Sequence, residues 1–160
     1  MRSSDGGATW TAVLGDPDDL SRYTDLIITS TGVLYATLSS EGGQPGIFRS
    51  PDGLVWTEIG PTLVADYGRI TMAVAPSYES VVYFLVSNPN TSSIIQFWRY
   101  VYNSGDGSGS GGVWSDRTYP LQHLPYPYGN YGNIWAFVLQ RGYNLLVDVD
   151  PTDYNLVYVG

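Results

Sequence analysis

The stretch Arg2-Ser3-Ser4-Asp5-Gly6-Gly7-Ala8-Thr9-Trp10 recurs in this chain as Arg49-Ser50-Pro51-Asp52-Gly53-Leu54-Val55-Trp56. Both copies read Arg-Ser-x-Asp-Gly and continue to a Trp that is followed by Thr. A third, more divergent copy is Asn103-Ser104-Gly105-Asp106-Gly107, which a Gly/Ser run separates from Val113-Trp114. Repeats spaced by roughly fifty residues indicate stacked supersecondary units and not one irregular core.

The repeated stretch has the chemistry of a tight turn between two strands. An Asp carboxylate can accept hydrogen bonds from backbone N–H groups just ahead of it, and Gly adopts a positive φ at no steric cost. The Ser or Thr hydroxyl can close the same turn, and the Trp begins the outgoing strand with a large apolar surface. We therefore expect the Asp residues to be structural and the three Trp residues to lie in equivalent, largely buried places.

The motif resembles the Asp-box, or BNR, repeat, which reads Ser-x-Asp-x-Gly-x-Thr-Trp. The first copy matches every fixed position, the second is one residue shorter between Ser and Trp, and the third keeps only part of the pattern. In proteins of this kind the Asp-box is a structural turn. The resemblance assigns that role to Ser3, Asp5, Gly7, Thr9, Trp10, Ser50, Asp52, Gly53, Trp56, Ser104, Asp106, Gly107 and Trp114.

A second repeat has the same register. Residues 73–83 align with residues 148–158 at a constant offset of 75, and each segment reads as a strand, a Pro-containing turn and a second strand. Residues 27–36 form the same pattern with a tighter turn. These segments look like the innermost hairpin of the blades in Asp-box propellers, which include sortilin-like, xyloglucanase-like and sialidase-like proteins.

Together the repeats predict an all-β fold, namely a β-propeller fragment of four-stranded antiparallel blades. About two blades are complete and partial blades flank them. Since propellers have about four to eight blades, we expect this chain to be an arc whose remaining blades belong to the full-length protein. The predicted division is 1–14 (outer strand of the first blade, at residues 10–13), 23–59 (second blade), 68–118 (third blade), 119–142 (aromatic-rich insertion) and 143–160 (first hairpin of the fourth blade).

The composition excludes several kinds of partner and site. The net charge is −8 and all seven basic residues are Arg, so nucleic acids and anionic membrane surfaces are poor partners. No stretch is long and apolar enough to span a bilayer. There is no cysteine, and His123 is the single histidine, so we expect no metal and no cofactor. The resemblance implies a secreted or cell-surface protein, whose signal peptide would precede this sequence.

Connections in a meander alternate between the two ends of the sheet, so the Asp-box turns should share one face. The long insertion should lie on the other face, where its aromatic rings suit a sugar or a protein partner. The alternative is that these rings only pack against the neighbouring blade. The candidate ligand-binding residues are Tyr126, Tyr128, Tyr131 and Glu41.

Acidic residues on the same face leave catalysis open. Glycosidases need two carboxylates about 5–10 Å apart, and Asp18 or Asp19 with Asp66 could form such a pair. The alternative is that these acids only form turns in solvated loops. The run from Asp16 to Asp19 could also bind calcium, but it is an incomplete ligand set. We therefore expect a non-catalytic segment that binds glycan or protein. The alternative is an arc of a xyloglucanase-like or sialidase-like glycoside hydrolase that acts on extracellular polysaccharide.

Overall fold

The computed structural model describes residues 1–63, 66–87, 94–122 and 145–160. These residues form two four-stranded sheets and one two-stranded sheet, all antiparallel. The first sheet contains β1 (Thr24–Ile28), β2 (Leu34–Leu38), β3 (Gly46–Ser50) and β4 (Thr57–Glu58). The second contains β5 (Ile70–Val74), β6 (Val81–Ser87), β7 (Ile94–Tyr102) and β8 (Gly112–Asp116). The third contains β9 (Val147–Val149) and β10 (Val157–Val159).

Strands that are neighbours in the chain are neighbours in each sheet, as expected for a meander of tight turns. The two larger sheets repeat the same register, because Tyr35 lies opposite Arg49 in the first and Tyr83 lies opposite Arg99 in the second. A short helix, α1 (Thr118–Gln122), follows β8. The expectation of an all-β chain with antiparallel sheets is confirmed.

The N-terminal segment differs from the prediction. We expected an outer strand at residues 10–13, but the structure has a single bridge there, in which Arg2 and Thr11 exchange backbone hydrogen bonds of 2.8 and 2.9 Å. A strand requires a partner along its length, and residues 12–23 belong to no strand. The segment is therefore a closed turn followed by a loop that runs over the first sheet.

The second sheet lies between the other two and is buried on both faces. All seven residues of β6 are buried, and the first six alternate between two apolar clusters. Val82 and Phe84 belong to the first core, which the second sheet shares with residues such as Tyr35 and Ile47 of the first sheet. Val81, Tyr83 and Leu85 belong to the second core, which includes Leu145, Val147 and Val149 next to or within the third sheet.

Polar contacts fix the relative position of the stacked sheets. The Asp25 carboxylate on β1 accepts bonds of 3.2 Å from the hydroxyl of Thr71 and the N–H of Met72 on β5. The Glu79 carboxylate accepts the N–H and hydroxyl of Ser30 at 2.8 and 2.7 Å. The Tyr83 hydroxyl donates to the carbonyl oxygen of Tyr154 at 2.9 Å. Because these bonds are directional, they hold the sheets in one register that apolar contact alone would not specify.

The three motif Trp residues are not equivalent in burial, and the expectation is wrong for Trp10. Trp10 is 59% exposed, because its turn has no sheet packed against it, and its indole N–H folds back onto the carbonyl oxygen of Gly7 at 3.0 Å. Trp114 is partly buried between the first two sheets, where its ring contacts Phe84 and its indole N–H donates to the carbonyl oxygen of Ile59 at 2.7 Å. Trp56 is also partly buried.

Candidate functional site

The first motif copy forms a self-contained turn at the surface. The Asp5 carboxylate accepts the N–H and hydroxyl of Thr9 at 2.9 and 2.6 Å and the hydroxyl of Ser3 at 2.7 Å. The Ser3 oxygen accepts the N–H of Gly7 at 2.8 Å. These donors hold the pKa of Asp5 well below its usual range, with the Thr9 hydroxyl as the largest cause. The Asp5 carboxylate therefore has a structural role within the turn.

The second copy repeats this arrangement with one residue fewer. The Asp52 carboxylate accepts the N–H groups of Leu54 and Val55 at 2.8 and 3.0 Å, and the Ser50 oxygen accepts the N–H of Gly53 at 2.8 Å. Gly53 has a φ of 72°, the left-handed conformation that a side chain would disfavour. Bonds from Val55 and Leu54 lower the pKa of Asp52. The second copy lacks a residue between its Asp and its Gly. The Ser and Asp side chains still accept hydrogen bonds from the backbone of the turn.

The third copy forms a different turn. The Asp106 carboxylate accepts the N–H and hydroxyl of Ser108 at 2.9 and 2.8 Å, which lowers its pKa. Ser104 contributes its backbone carbonyl, which accepts the N–H of Gly107 at 3.2 Å. The Tyr100 hydroxyl caps the turn by donating to the carbonyl oxygen of Gly107 at 2.8 Å. All three motif carboxylates thus serve backbone turns and leave no acid there for catalysis.

The opposite ends of the sheets carry the loops after β2 and before β1 and β5. The loop after β2 contacts the segments that precede β5 and β1. The hydroxyl of Ser40 donates to the carbonyl oxygen of Tyr67 at 2.6 Å, and the N–H of Gly43 donates to the carbonyl oxygen of Asp19 at 3.1 Å. Glu41 in this loop forms an exposed ion pair with Arg22 at 3.2 Å. The predicted ligand role of Glu41 remains a prediction, and its carboxylate already has a partner.

A cleft of about 360 Å³ lies on this side of the molecule, between the N-terminal segment and the outer face of the first sheet. We call it the N-terminal cleft. Most of its wall is apolar, and Trp56 lies at one side. Its lining comprises Met1, Ala12, Val13, Leu14, Gly15, Asp16, Pro17, Asp19, Leu20, Ser21, Thr24, Asp25, Leu26, Ala36, Thr37, Leu38 and Trp56.

A compact turn presents two of the carboxylates in this cleft. The Asp16 side chain accepts the N–H of Asp18 at 2.9 Å, and its carbonyl oxygen accepts the N–H of Asp19 at 3.3 Å. Asp16 and Asp19 line the cleft, whereas neither Asp18 nor Asp66 belongs to its described lining. The proposed catalytic pairing of Asp18 or Asp19 with Asp66 therefore remains a prediction. Tyr126, Tyr128 and Tyr131 lie outside the described residues.

Within residues 1–63, 66–87, 94–122 and 145–160, no group of three or more His, Asp or Glu side chains could hold a metal ion. In the same part of the chain, no helix is both long and apolar enough to cross a bilayer.

Comparisons with known proteins found no match among protein-family models, and neither a search of curated proteins nor a search of solved structures found a similar protein.

Sequence reasoning missed the apolar half of the N-terminal cleft. The sequence pattern indicates only a turn motif at Trp56 and gives no signal at Leu20. Leu20 is 76% exposed, and an isolated Leu in a loop between Asp and Ser carries no pattern that marks a binding surface. The fold creates the cleft by laying residues 12–21 across β1 and β2, and no local sequence signal encodes that contact.

Proposed function

We propose that this chain is an arc of an Asp-box β-propeller and serves as a non-catalytic carbohydrate-binding segment of a secreted or cell-surface protein. The observation that carries the binding proposal is the N-terminal cleft, whose lining combines apolar residues with Asp16 and Asp19. The propeller and the extracellular location come from the resemblance of the repeated motifs. The stacking of three sheets in chain order supports the propeller.

Neutral sugars match the chemistry of the cleft. A pyranose ring has an apolar face that packs on aromatic and aliphatic side chains, and its hydroxyl groups donate hydrogen bonds to carboxylates. The chain has a net charge of −8, which disfavours anionic ligands at a cleft that three aspartates line. A neutral oligosaccharide is therefore the ligand class that we propose for this cleft.

Binding is favoured over hydrolysis by the positions of the acids. A glycosidase places two carboxylates on opposite sides of the scissile bond. Asp16 and Asp19 belong to one turn and hydrogen-bond to each other through their backbones. Among the described residues, Asp25 also lines the cleft, but its carboxylate holds Thr71 and Met72. We therefore place the glycoside hydrolase alternative second.

The test is calorimetric titration of the chain with neutral β-glucan oligosaccharides, guided by a glycan array. We expect Asp19→Asn to weaken binding about tenfold, because a hydrogen bond to a charged group is lost. Leu20→Ala should also weaken it, since Leu20 is exposed and its loss leaves the core intact. Asp18→Asn is the matched control, because Asp18 does not line the cleft.

Absence of binding to every neutral glycan would refute the carbohydrate proposal, as would equal affinities of the Asp19→Asn and Asp18→Asn variants. Release of reducing ends during incubation with the same oligosaccharides would instead favour the hydrolase alternative. The two outcomes are measured on the same preparations, so binding and hydrolysis can be separated.

A further inference from the structure

A second cleft lies at the same end of the sheets as the N-terminal cleft and shares no described lining residue with it. It has a volume of about 300 Å³, and we call it the Glu58 pocket. The beginning of β3, the end of β4 and the connection from β4 to β5 enclose it, so it is internal to the chain. Its described lining comprises Pro45, Gly46, Ile47, Glu58, Gly60, Pro61, Thr62, Leu63 and Tyr67.

The buried side of this pocket is fixed in place. Ile47 and Tyr67 are buried and belong to the first core. The N–H of Ile59 donates to the carbonyl oxygen of Ile47 at 2.9 Å, which holds the end of β4 against β3. The Ser40 hydroxyl oxygen accepts the N–H of Tyr67 at 3.1 Å and donates to its carbonyl oxygen at 2.6 Å. The pocket is therefore preformed, and a ligand that enters it orders little of the protein.

Gly46 leaves room for the Glu58 carboxylate at the pocket. Gly46 has a φ of 149°, which side chains disfavour. A Cβ atom at Gly46 would lie 3.2 Å from Oε1 of Glu58 and 3.2 Å from the ring of Phe48. The carboxylate thus lies against the backbone at the first residue of β3, where a larger residue would crowd it.

The polar groups of the pocket favour a cation. Glu58 is exposed, and the ion pair found among the described residues joins Arg22 to Glu41 instead. Burial and then the negative charge of Glu58 raise the pKa of Tyr67 to about 12, so its hydroxyl stays neutral and its oxygen can accept a hydrogen bond. No described lining residue is basic. The net charge of −8 also attracts cations to the chain.

An ammonium group on an aliphatic stem matches this lining. An ammonium is a compact charge that donates to acceptors such as the Glu58 carboxylate and the Tyr67 hydroxyl, whereas a guanidinium presents more donors in a planar fork. The apolar stem can pack against Pro45, Pro61 and Leu63. All seven basic residues of the chain are Arg, so a lysine in the pocket would come from another molecule.

We propose that the Glu58 pocket binds a primary alkylammonium group, which Glu58 and Tyr67 hold while the two prolines cover its stem. The group comes from a lysine side chain of another protein or from a free alkyldiamine. This proposal does not depend on carbohydrate binding at the N-terminal cleft.

The test is an NMR titration of the isotopically labelled chain with two probes. Nα-acetyl-lysine methylamide carries the ammonium, and Nα-acetyl-norleucine methylamide has the same stem without it. We expect the lysine probe to shift the amide signals of Gly46, Ile47 and Tyr67 with a Kd of about 1 mM. The norleucine probe should bind at least about fivefold more weakly, because it lacks the charge. Cadaverine is the third probe: tighter binding of cadaverine indicates a free diamine, and tighter binding of the lysine probe indicates a protein lysine.

Variants separate the pocket from the overall charge. Glu58→Gln should weaken binding of the lysine probe about fivefold. Asp116→Asn is the matched control, because it also removes one exposed negative charge and retains the oxygen that accepts the N–H of Thr118. It should leave the affinity unchanged. Tyr67→Phe removes the hydroxyl and keeps the ring in the core, so it should also weaken binding.

The comparison of the lysine and norleucine probes on the unmodified chain needs no variant that must fold. Equal affinities for these two probes, or no shift of the signals from the pocket, would overturn the proposal. Equal weakening by Glu58→Gln and Asp116→Asn would also overturn it, because the attraction would then come from the net charge and not from the Glu58 pocket.

Discussion

At the scale of single residues, the Asp turns show how one hydrogen-bonding pattern tolerates different surroundings. Ser50 is fully buried, whereas its counterpart Ser3 lies at the surface and is only partly covered. Both hydroxyl oxygens accept a Gly N–H at 2.8 Å. The two turns therefore have the same geometry. If the Ser hydroxyl is removed, water can replace it as the acceptor of the Gly N–H only at the exposed turn.

This difference predicts unequal effects of removing the hydroxyl. Ser50→Ala should lower the free energy of unfolding by about 1–2 kcal/mol, because the buried N–H of Gly53 loses its acceptor. Ser3→Ala should cost less than half as much. Urea unfolding followed by tryptophan fluorescence measures both. Equal losses would show that burial does not determine the strength of these turns.

The lowered pKa of Asp52 predicts a dependence of stability on pH. The folded-state pKa lies below the ordinary value of 3.8, so the carboxylate stabilises the fold fully above that value. The stabilisation is lost as the pH falls below 3.8 toward the lower folded pKa. Asp52→Asn should therefore be less stable at about pH 6 and lose less than the unmodified chain on acidification to about pH 3. Urea midpoints at the two pH values test this, and parallel losses would contradict it.

At the scale of elements, β6 is the strand on which both cores depend. Its sequence, Val81-Val82-Tyr83-Phe84-Leu85-Val86, has no alternation of polar and apolar residues. Such a continuous apolar run is typical of a strand buried on both faces. The burial of every residue of β6 agrees with this reading.

Truncations on the two faces of β6 should therefore be comparably severe. Phe84→Ala removes a ring from the first core and should cost about 3–5 kcal/mol, and Leu85→Ala should cost about 2–5 kcal/mol in the second core. Leu146→Ala is the control: Leu146 is 58% exposed, so the change should stay within about 0.5 kcal/mol. A mild effect of either core variant would mean that one face of β6 is not packed.

At the scale of the whole molecule, stability should be unevenly distributed. Residues 1–23 are mostly exposed and make few backbone hydrogen bonds to the rest of the chain, whereas the second sheet is covered on both faces. Regions with few buried contacts and exposed hydrogen bonds open locally at little cost in free energy. The N-terminal cleft therefore has one wall that opens easily and one wall that belongs to the sheet.

Hydrogen–deuterium exchange should resolve this distribution. We expect amides of β6 to exchange slowest, at rates set by global unfolding, and amides of residues 1–23 to exchange fastest. Binding of an oligosaccharide to the N-terminal cleft should slow exchange in residues 12–21 selectively. Uniform protection along the chain would contradict the expected gradient, and ligand-induced protection elsewhere would locate binding at another surface.

The sequence by itself determined the turns and the strands of this protein. Ser50 and Asp52 bond to groups within three residues of themselves, so their geometry is encoded locally. Strand order follows from the same turns, because tight connections leave sequential neighbours paired. The main local error was the expected strand at residues 10–13, where the pattern was present but no partner strand was.

Only the tertiary structure decided which faces are covered and which side chains meet in clefts. Trp10 and Trp114 share a motif, yet a neighbouring sheet packs against Trp114 alone. Asp19 and Leu20 line the N-terminal cleft because residues 12–21 cross the first sheet. Arg99 and Arg117 line one cleft because β7 pairs with β8, which Arg117 directly follows. Burial and convergence depend on segments far apart in the chain, whereas turn chemistry acts between residues that are already adjacent.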